Sequence, residues 1–323
     1  MSASDSAIST GCVAITVKGK PAEVPALCID DRVVIVTGKW LTVAMIMDEE
    51  LVEGDLIADP ALFLSKLKST PTAPDIFTFA QKLPDTTPRY SYYHEWDNLA
   101  VIPITTFDDW WAGLSDPVQR AVKKAKRSGV VLKEVEFDDA FIRGIQGIYD
   151  ETPVRQGKLF WHYRKDFDAV KAENSTYADR NIFIGAYFEE ELIGFIRLTS
   201  IDKTATVIQI LSQMKHQSKR PTNALIAKAV EVCEQRGVSH LVYCNYVYTD
   251  PNSSLTEFKR RNRFEPVLLP RYYCPLTLKG ELALKLKLHH GFKGLVPQTI
   301  HSRLVTVRSW LAGRIVNRIR AQQ

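Results

Sequence analysis

Between residues 182 and 264 the spacing of apolar positions changes several times, and the changes read as strand, strand, strand, polar turn, helix, strand, helix. Residues 182–188 and 192–198 are apolar, partly alternating runs. Glu189, Glu190 and Glu191 separate them, which predicts an antiparallel hairpin. A third strand is expected at 206–211. It leads into residues 212–223, a polar turn without one acidic side chain. Pro221 suits the first turn of a helix, where its missing N–H costs nothing, and Leu225, Ile226, Ala229, Val232 and Cys233 then recur at helical spacing until Gly237. Residues 238–247 read as a strand and 255–261 as a short helix ahead of Phe264.

The pattern on either side is less dense. Short strands are expected at 12–17, 32–37 and 40–46, with Lys18 to Pro21 and Gly38 as turns. Helices are expected at 59–68 and 75–82, and a strand at 99–104. Asp116 and Pro117 start a helix whose apolar face is Val118, Ala121, Val122 and Ala125, and Gly129 stops it. Its other face holds Arg120, Lys123, Lys124, Lys126 and Arg127, which suit phosphates or a solvated surface equally. A strand at 130–137 precedes a helix capped by Asp138 or Asp139, and another helix spans 167–174. A closing strand is expected at 270–277 and a helix at 280–290.

With 323 residues, 45% of them hydrophobic and 24% charged, the chain has the composition of a folded protein large enough for two domains. Its net charge of +5 is unevenly placed: residues 282–323 hold eight Lys or Arg and no Asp or Glu, so residues 1–281 carry −3. Ile300, Leu304, Val307, Leu311 and Ile315 form an apolar stripe among those arginines. Residues 296–320 therefore suit an anionic membrane surface or a packed helix equally. The five cysteines lack paired or metal-like spacing, and the first residues lack a secretion pattern, so reduced thiols in the cytoplasm are expected. No apolar run approaches the ~20 residues of a membrane span, and phosphate-loop, dinucleotide, nucleophile-elbow and zinc motifs are absent.

Three stretches hold candidate chemistry. The basic turn from Lys215 to Asn223 precedes a helix N-terminus, where backbone N–H groups and the helix dipole favour an anion such as a pyrophosphate. Residues 152–163 are neither helical nor alternating and mix Arg155, Gln156, Lys158, His162 and Tyr163 with Phe160 and Trp161, a composition common in ligand-binding loops. The strand at 241–248 ends in Asn245, Tyr246 and Tyr248, which could hydrogen-bond a reacting carbonyl or protonate a leaving group. His162 and Glu257 are the candidate bases, with His162 needing the smaller pKa adjustment near pH 7. His289 and His290 show no second ligand cluster, so no metal is expected.

The Trp110-Trp111 pair, the basic helix 120–129, the strand–turn–helix at 206–235 and residues 255–264 together resemble the GNAT-like domain of bacterial Fem-type and polysaccharide-associated acyltransferases, over about half the chain. The resemblance implies an α+β fold with a central mixed, mainly antiparallel sheet flanked by helices over 107–278. A small α+β unit (1–106) precedes it, and basic C-terminal helices (279–323) follow. It implies acyl-CoA, such as acetyl-CoA, as co-substrate. Leu211, Ser212, Lys219, Arg220, Thr222, Asn223 and Ala224 would hold it between splayed strands, and the 155–163 loop and Asn245 would face the acceptor. Three positions depart from the family: the turn 217–224 has no glycine, Lys259 stands where relatives carry a tyrosine acid, and Arg263 replaces a glycine. The implied function is N-acyl transfer to an amine, an amino sugar, an amino-acid derivative or a lipid-linked glycan, in envelope or exopolysaccharide synthesis. Two further readings stay open. One is Fem-like transfer from aminoacyl-tRNA to a peptidoglycan precursor, the only reading that involves nucleic acid; the other is a noncatalytic membrane-associated glycan- or lipid-binding protein. The implied location is cytoplasmic, with peripheral contact at the inner membrane face.

Overall fold

The computed structural model describes residues 9–17, 20–71, 73–155, 157–248 and 250–290. Strands β1 (Ser9–Val17), β2 (Lys20–Ile29), β3 (Arg32–Thr37) and β4 (Val43–Ile46) pair in succession, all antiparallel. Pro21 and Pro25 hide β2 from the sequence pattern. Asp30 and Asp31 turn the chain from β2 to β3 with φ of 49° and 61°, a left-handed pair that acidic residues tolerate better than most. Helix α1 (Pro60–Lys68) starts as expected, with Asp59 accepting from the Leu62 N–H at 3.0 Å. The helix expected at 75–82 is instead strand β5 (Ile76–Ala80), parallel to β4. Its residues Ile76 to Phe79 are buried on both faces, and a short, continuous apolar run does not distinguish a central strand from a buried helix.

The chain continues through β6 (His94–Pro103), α2 (Phe107–Ala112), α3 (Asp116–Arg127), β7 (Val131–Val135) and α4 (Asp139–Asp150). The two-residue strands β8 (Val154–Arg155) and β9 (Lys158–Leu159) form a hairpin, then α5 (Phe167–Ser175), β10 (Asn181–Phe188), β11 (Glu191–Ile201), β12 (Thr204–Ser212), α6 (Pro221–Gln235), β13 (His240–Asn245) and α7 (Ser254–Arg261) follow. The sheet order here is β7-β10-β11-β12-β13-β6, antiparallel except for β12 with β13. Alternation along β10 divides the core: Ile182, Ile184 and Ala186 pack with α6, whereas Phe183 packs with Ile142, Ile145 and Ile148 of α4. Trp110 is buried in the first cluster, its indole N–H donating to the Asn262 carbonyl at 3.2 Å.

Strand β14 (Glu265–Pro275) pairs antiparallel with β5, giving the order β1-β2-β3-β4-β5-β14, and is followed by α8 (Leu278–Lys285). The helix expected at 280–290 therefore stops early. Lys287, with φ of 55°, breaks it, and a single 3₁₀ turn covers Leu288–His290. The described residues cluster into two compact units, one of residues 98–267 and one of 9–97 with 268–290. Residues 296–320, with their expected membrane-facing stripe, lie outside the described residues, as does Gln156. Among the described residues no helix is long and apolar enough to cross a membrane.

Candidate active site

Parallel pairing between β12 and β13 lasts three residue pairs, Thr204–His240, Ala205–Leu241 and Thr206–Val242. Beyond them the strands separate and leave a wedge. On one side β12 bulges at Ile208, since Gln209 pairs with Arg197 while Val207 pairs with Leu198. On the other, Cys244 takes a left-handed φ of 47°, and Asn98 captures the strand end: its carbonyl and side-chain oxygens accept from Tyr246 N at 2.8 Å and Val247 N at 2.7 Å. These two local distortions keep the ladder from closing.

Lys259 lies against the end of β13 and is fully buried. It lies on the face of α7 shared with Thr256 and Asn262, while Glu257, Arg260 and Arg261 face outward. Its ammonium donates to the Asn245 carbonyl at 2.5 Å and sits 4.6 Å and 4.9 Å from the ring centres of Tyr243 and Tyr248. Burial lowers its pKa from the usual lysine value, partly opposed by the nearby Cys244 thiol. A buried cation this sparsely partnered is costly, and it is the residue that sequence patterning gave no role. The helical spacing 256, 259, 262 was the available clue.

The basic turn is a 3₁₀ segment, Met214–Lys219, ending at Arg220 with φ of 61°. That left-handed backbone is one that glycine adopts without steric cost, and Arg263, with φ of 64°, occupies a second such place. Ser212 Oγ meets Thr222 Oγ1 at 3.0 Å, and Asn223 donates to Asn262 Oδ1 at 3.2 Å. Lys219 stacks on Phe188 at 4.2 Å, Arg220 is exposed, Leu211 is half-buried in the core and Ala224 is buried. Glu151, which the sequence gave no reason to notice, accepts from the N–H groups of Met214 at 2.7 Å and Lys215 at 2.8 Å. The first amides of the turn are thus already bound to a carboxylate. No side chain caps the start of α6 among the described residues.

Arg155 was expected to face the acceptor. Instead its two terminal nitrogens donate to Ser212 O (2.8 Å), Ile148 O (2.9 Å) and Glu151 (3.2 Å), which ties the β8–β9 hairpin to the end of β12. Lys158 and Trp161 are exposed and Tyr163 is half-buried. His162 is buried within a continuous chain: Tyr149 Oη donates to Gln209 Oε1 at 2.8 Å, Gln209 Nε2 to His162 Nε2 at 3.3 Å, and His162 Nδ1 to Glu173 at 3.2 Å, with Lys165 completing the carboxylate. The network assigns the neutral tautomer. Burial, then Lys165 and Arg155, push the His162 pKa down to about 3. With both ring nitrogens engaged, His162 is not a free base. Glu257 is no better placed: paired with Arg260 at 2.7 Å and Arg261 at 2.5 Å, its carboxyl is held at about 2. Tyr246 is half-buried; Tyr248 is exposed over Lys259, its hydroxyl pKa raised by burial and then by Cys244. Asn245 is exposed and contributes its carbonyl to Lys259. The structure therefore brings Asn245 and Tyr248 to Lys259, and gathers Ser212, Thr222 and Arg155 at the end of β12.

This strand order, the wedge and the helix start after β12 define a GNAT fold, and residues 146–261 match the family model of the acetyltransferase (GNAT) family. The chain carries a GNAT-fold acyltransferase domain. Its overall fold is similar to that of FemX, at 8% identity and a TM-score of 0.55 over 86% of this chain and 90% of FemX. It is also similar to the C-terminal domain of an Agrobacterium fabrum protein assigned as a lysylphosphatidylglycerol synthetase (15% identity, TM-score 0.50, 78% and 84% covered) and to L-PGS from Bacillus licheniformis (12%, 0.50, 80% and 86%). No curated protein matches the sequence.

Proposed function

We propose that this chain is an N-acyltransferase that moves an acyl group from acyl-CoA, acetyl-CoA in the simplest case, to an amine of an amino sugar, an amino-acid derivative or a lipid-linked glycan during envelope or exopolysaccharide synthesis. The observation that carries it is the wedge with the buried Lys259 ammonium at its wall. A carbonyl held in the wedge gains negative charge as the amine attacks, and a fixed cation in a site shielded from water stabilises that charge without reorganising. As the new C–N bond forms and the C–S bond breaks, the leaving thiolate needs a proton, which Lys259 can give and regain from the attacking nitrogen through solvent. The N–H groups at the start of α6, which no side chain caps among the described residues, with Lys219 and Arg220 beside them, suit the donor's pyrophosphate. Most of the acceleration then comes from orientation and charge stabilisation rather than from a strong base.

A second reading keeps the chemistry and changes the donor to aminoacyl-tRNA. Three observations favour it: the glycine-free turn with Arg220 in the left-handed region, the Glu151 carboxylate already on two of its amides, and the exposed basic face of α3. The names of FemX and of the lysylphosphatidylglycerol synthetase neighbour point to the same envelope setting.

Calorimetric titration with acetyl-CoA and longer acyl-CoAs, repeated on Lys219→Ala/Arg220→Ala, separates the readings. Saturable binding, weakened about tenfold by the double variant, supports the CoA donor. Absence of binding to every acyl-CoA overturns it, and transfer from charged tRNA then tests the second reading. Binding without turnover on any amine would leave the noncatalytic reading.

A further inference from the structure

The sequence presents His289 and His290 as an adjacent pair without companions. The structure supplies one. Lys287 turns the chain out of α8, and the 3₁₀ turn that follows aims both imidazoles at Glu95 of β6. His289 Nε2 lies 3.0 Å from Glu95 Oε1 and His290 Nε2 lies 2.6 Å from Oε2, so two ring nitrogens converge on the two oxygens of one carboxylate.

We propose that Glu95, His289 and His290 bind a divalent cation of the zinc type. The three donor atoms lie within 4.8 Å of one another. Zinc–nitrogen and zinc–oxygen bonds of about 2.0–2.2 Å put neighbouring donors of a tetrahedron about 3.3 Å apart, and the two nitrogen–oxygen separations here are 3.0 Å and 2.6 Å. Two imidazole nitrogens with one carboxylate oxygen select zinc and its transition-metal neighbours over magnesium or calcium, which prefer all-oxygen sites. The electrostatics agree. The two rings are 4.1 Å apart, and two imidazolium cations at that distance repel, whereas two neutral imidazoles can share one metal ion whose charge the carboxylate offsets.

The surroundings hold the ligands in place. Tyr93 Oη donates to Glu95 Oε1 at 3.0 Å and orients the carboxylate. The Tyr273 ring packs 4.7 Å from His289 and 5.9 Å from His290. The His289 side chain is wholly buried while that of His290 is 44% exposed, so the site is walled on one side and open on the other, where a water or an incoming ligand completes the shell. Such an ion would pin residues 288–290 to β6, at the point where the chain leaves toward its acid-free, basic final stretch. The site lies apart in sequence from every residue assigned to acyl transfer above, so it stands or falls independently of the donor.

The test uses untagged full-length protein stripped with EDTA and titrated with Zn²⁺ in a calorimeter, with Co²⁺ absorption as a second readout. Expected are one ion per chain with a Kd on the order of 1 µM or tighter, a raised Tm, and visible cobalt bands of tetrahedral intensity. His290→Ala and Glu95→Gln should each weaken zinc binding by ~10–100-fold, while His240→Gln should not change it. The exposure of His290 makes its variant safe for folding, and far-UV circular dichroism checks this. No stoichiometric ion in the wild type, or equal affinity in His290→Ala and Glu95→Gln, overturns the proposal.

Discussion

Two buried polar centres in the 98–267 unit follow opposite designs. Around His162, every group that could act is satisfied: Tyr149, Gln209, His162, Glu173 and Lys165 pass hydrogen bonds along one line, and the imidazole is locked neutral. Around Lys259, a charged group has one carbonyl and two ring faces as its partners among the described residues, at the end of β13 where its ladder with β12 has already stopped. A closed polar circuit fixes a shape, because breaking any link leaves a buried group unpaired. An under-partnered cation keeps hydrogen-bonding capacity for something that arrives later. This contrast fits the reactive role proposed for Lys259 and a scaffolding role for the His162 network.

The sharpest way to break the comparison is Lys259→Met. Transfer in a single-turnover assay should fall ~10²–10³-fold, the usual cost of removing a charge-stabilising donor. Thermal stability should hold or rise, because a similar apolar volume replaces a buried charge. The folded-state pKa of Lys259 is lowered, so between that value and the ordinary lysine range the unfolded chain holds the extra proton and wild-type stability rises with pH. The methionine variant should lack that rise. Unchanged transfer would make Lys259 a packing residue.

A smaller effect is expected at His162→Gln. With a folded pKa of about 3 against about 6.5 unfolded, the unfolded state takes up a proton first, and the wild type loses stability as pH drops through that window. Melting curves from pH 7 to 3 should show a shallower decline for the glutamine variant. A steeper decline would mean that the imidazole is charged in the fold. The smallest effect is Tyr149→Phe, which removes the first donor of the chain and should cost about 1 kcal/mol in denaturant unfolding. No loss would show that Gln209 finds another partner and that the circuit is looser than its geometry.

Legibility in the sequence varied with the range of the interaction. The hairpin β10–β11, the strand–turn–helix into α6 and the helix 116–127 were readable because alternation, helical spacing and terminal Pro and Gly residues act over a few positions. The continuous run in β5 and the proline-bearing β2 were not, since both are strands only because neighbours lie beside them. Near the candidate site, the sequence located the basic turn before α6 and the polar end of β13 as elements, because both are local features. Arg155 and His162 were placed in the right loop, but their roles depended on contacts with Ser212 and Gln209, dozens of residues away.

The sequence by itself determined most of the strands and helices of the 98–267 unit, where its basic turn before α6 would fall and that no tyrosine stands at position 259, because local backbone preferences and side-chain periodicity carry that information. Only the tertiary structure decided that Lys259 meets the Asn245 carbonyl at the end of β13, that Glu151 closes the first amides of the turn, that His162 is spent in a neutral circuit and that Glu95 meets His289 and His290. Each of these depends on a partner far off in the chain, and no residue's own chemistry specifies which distant group the packing will bring to it.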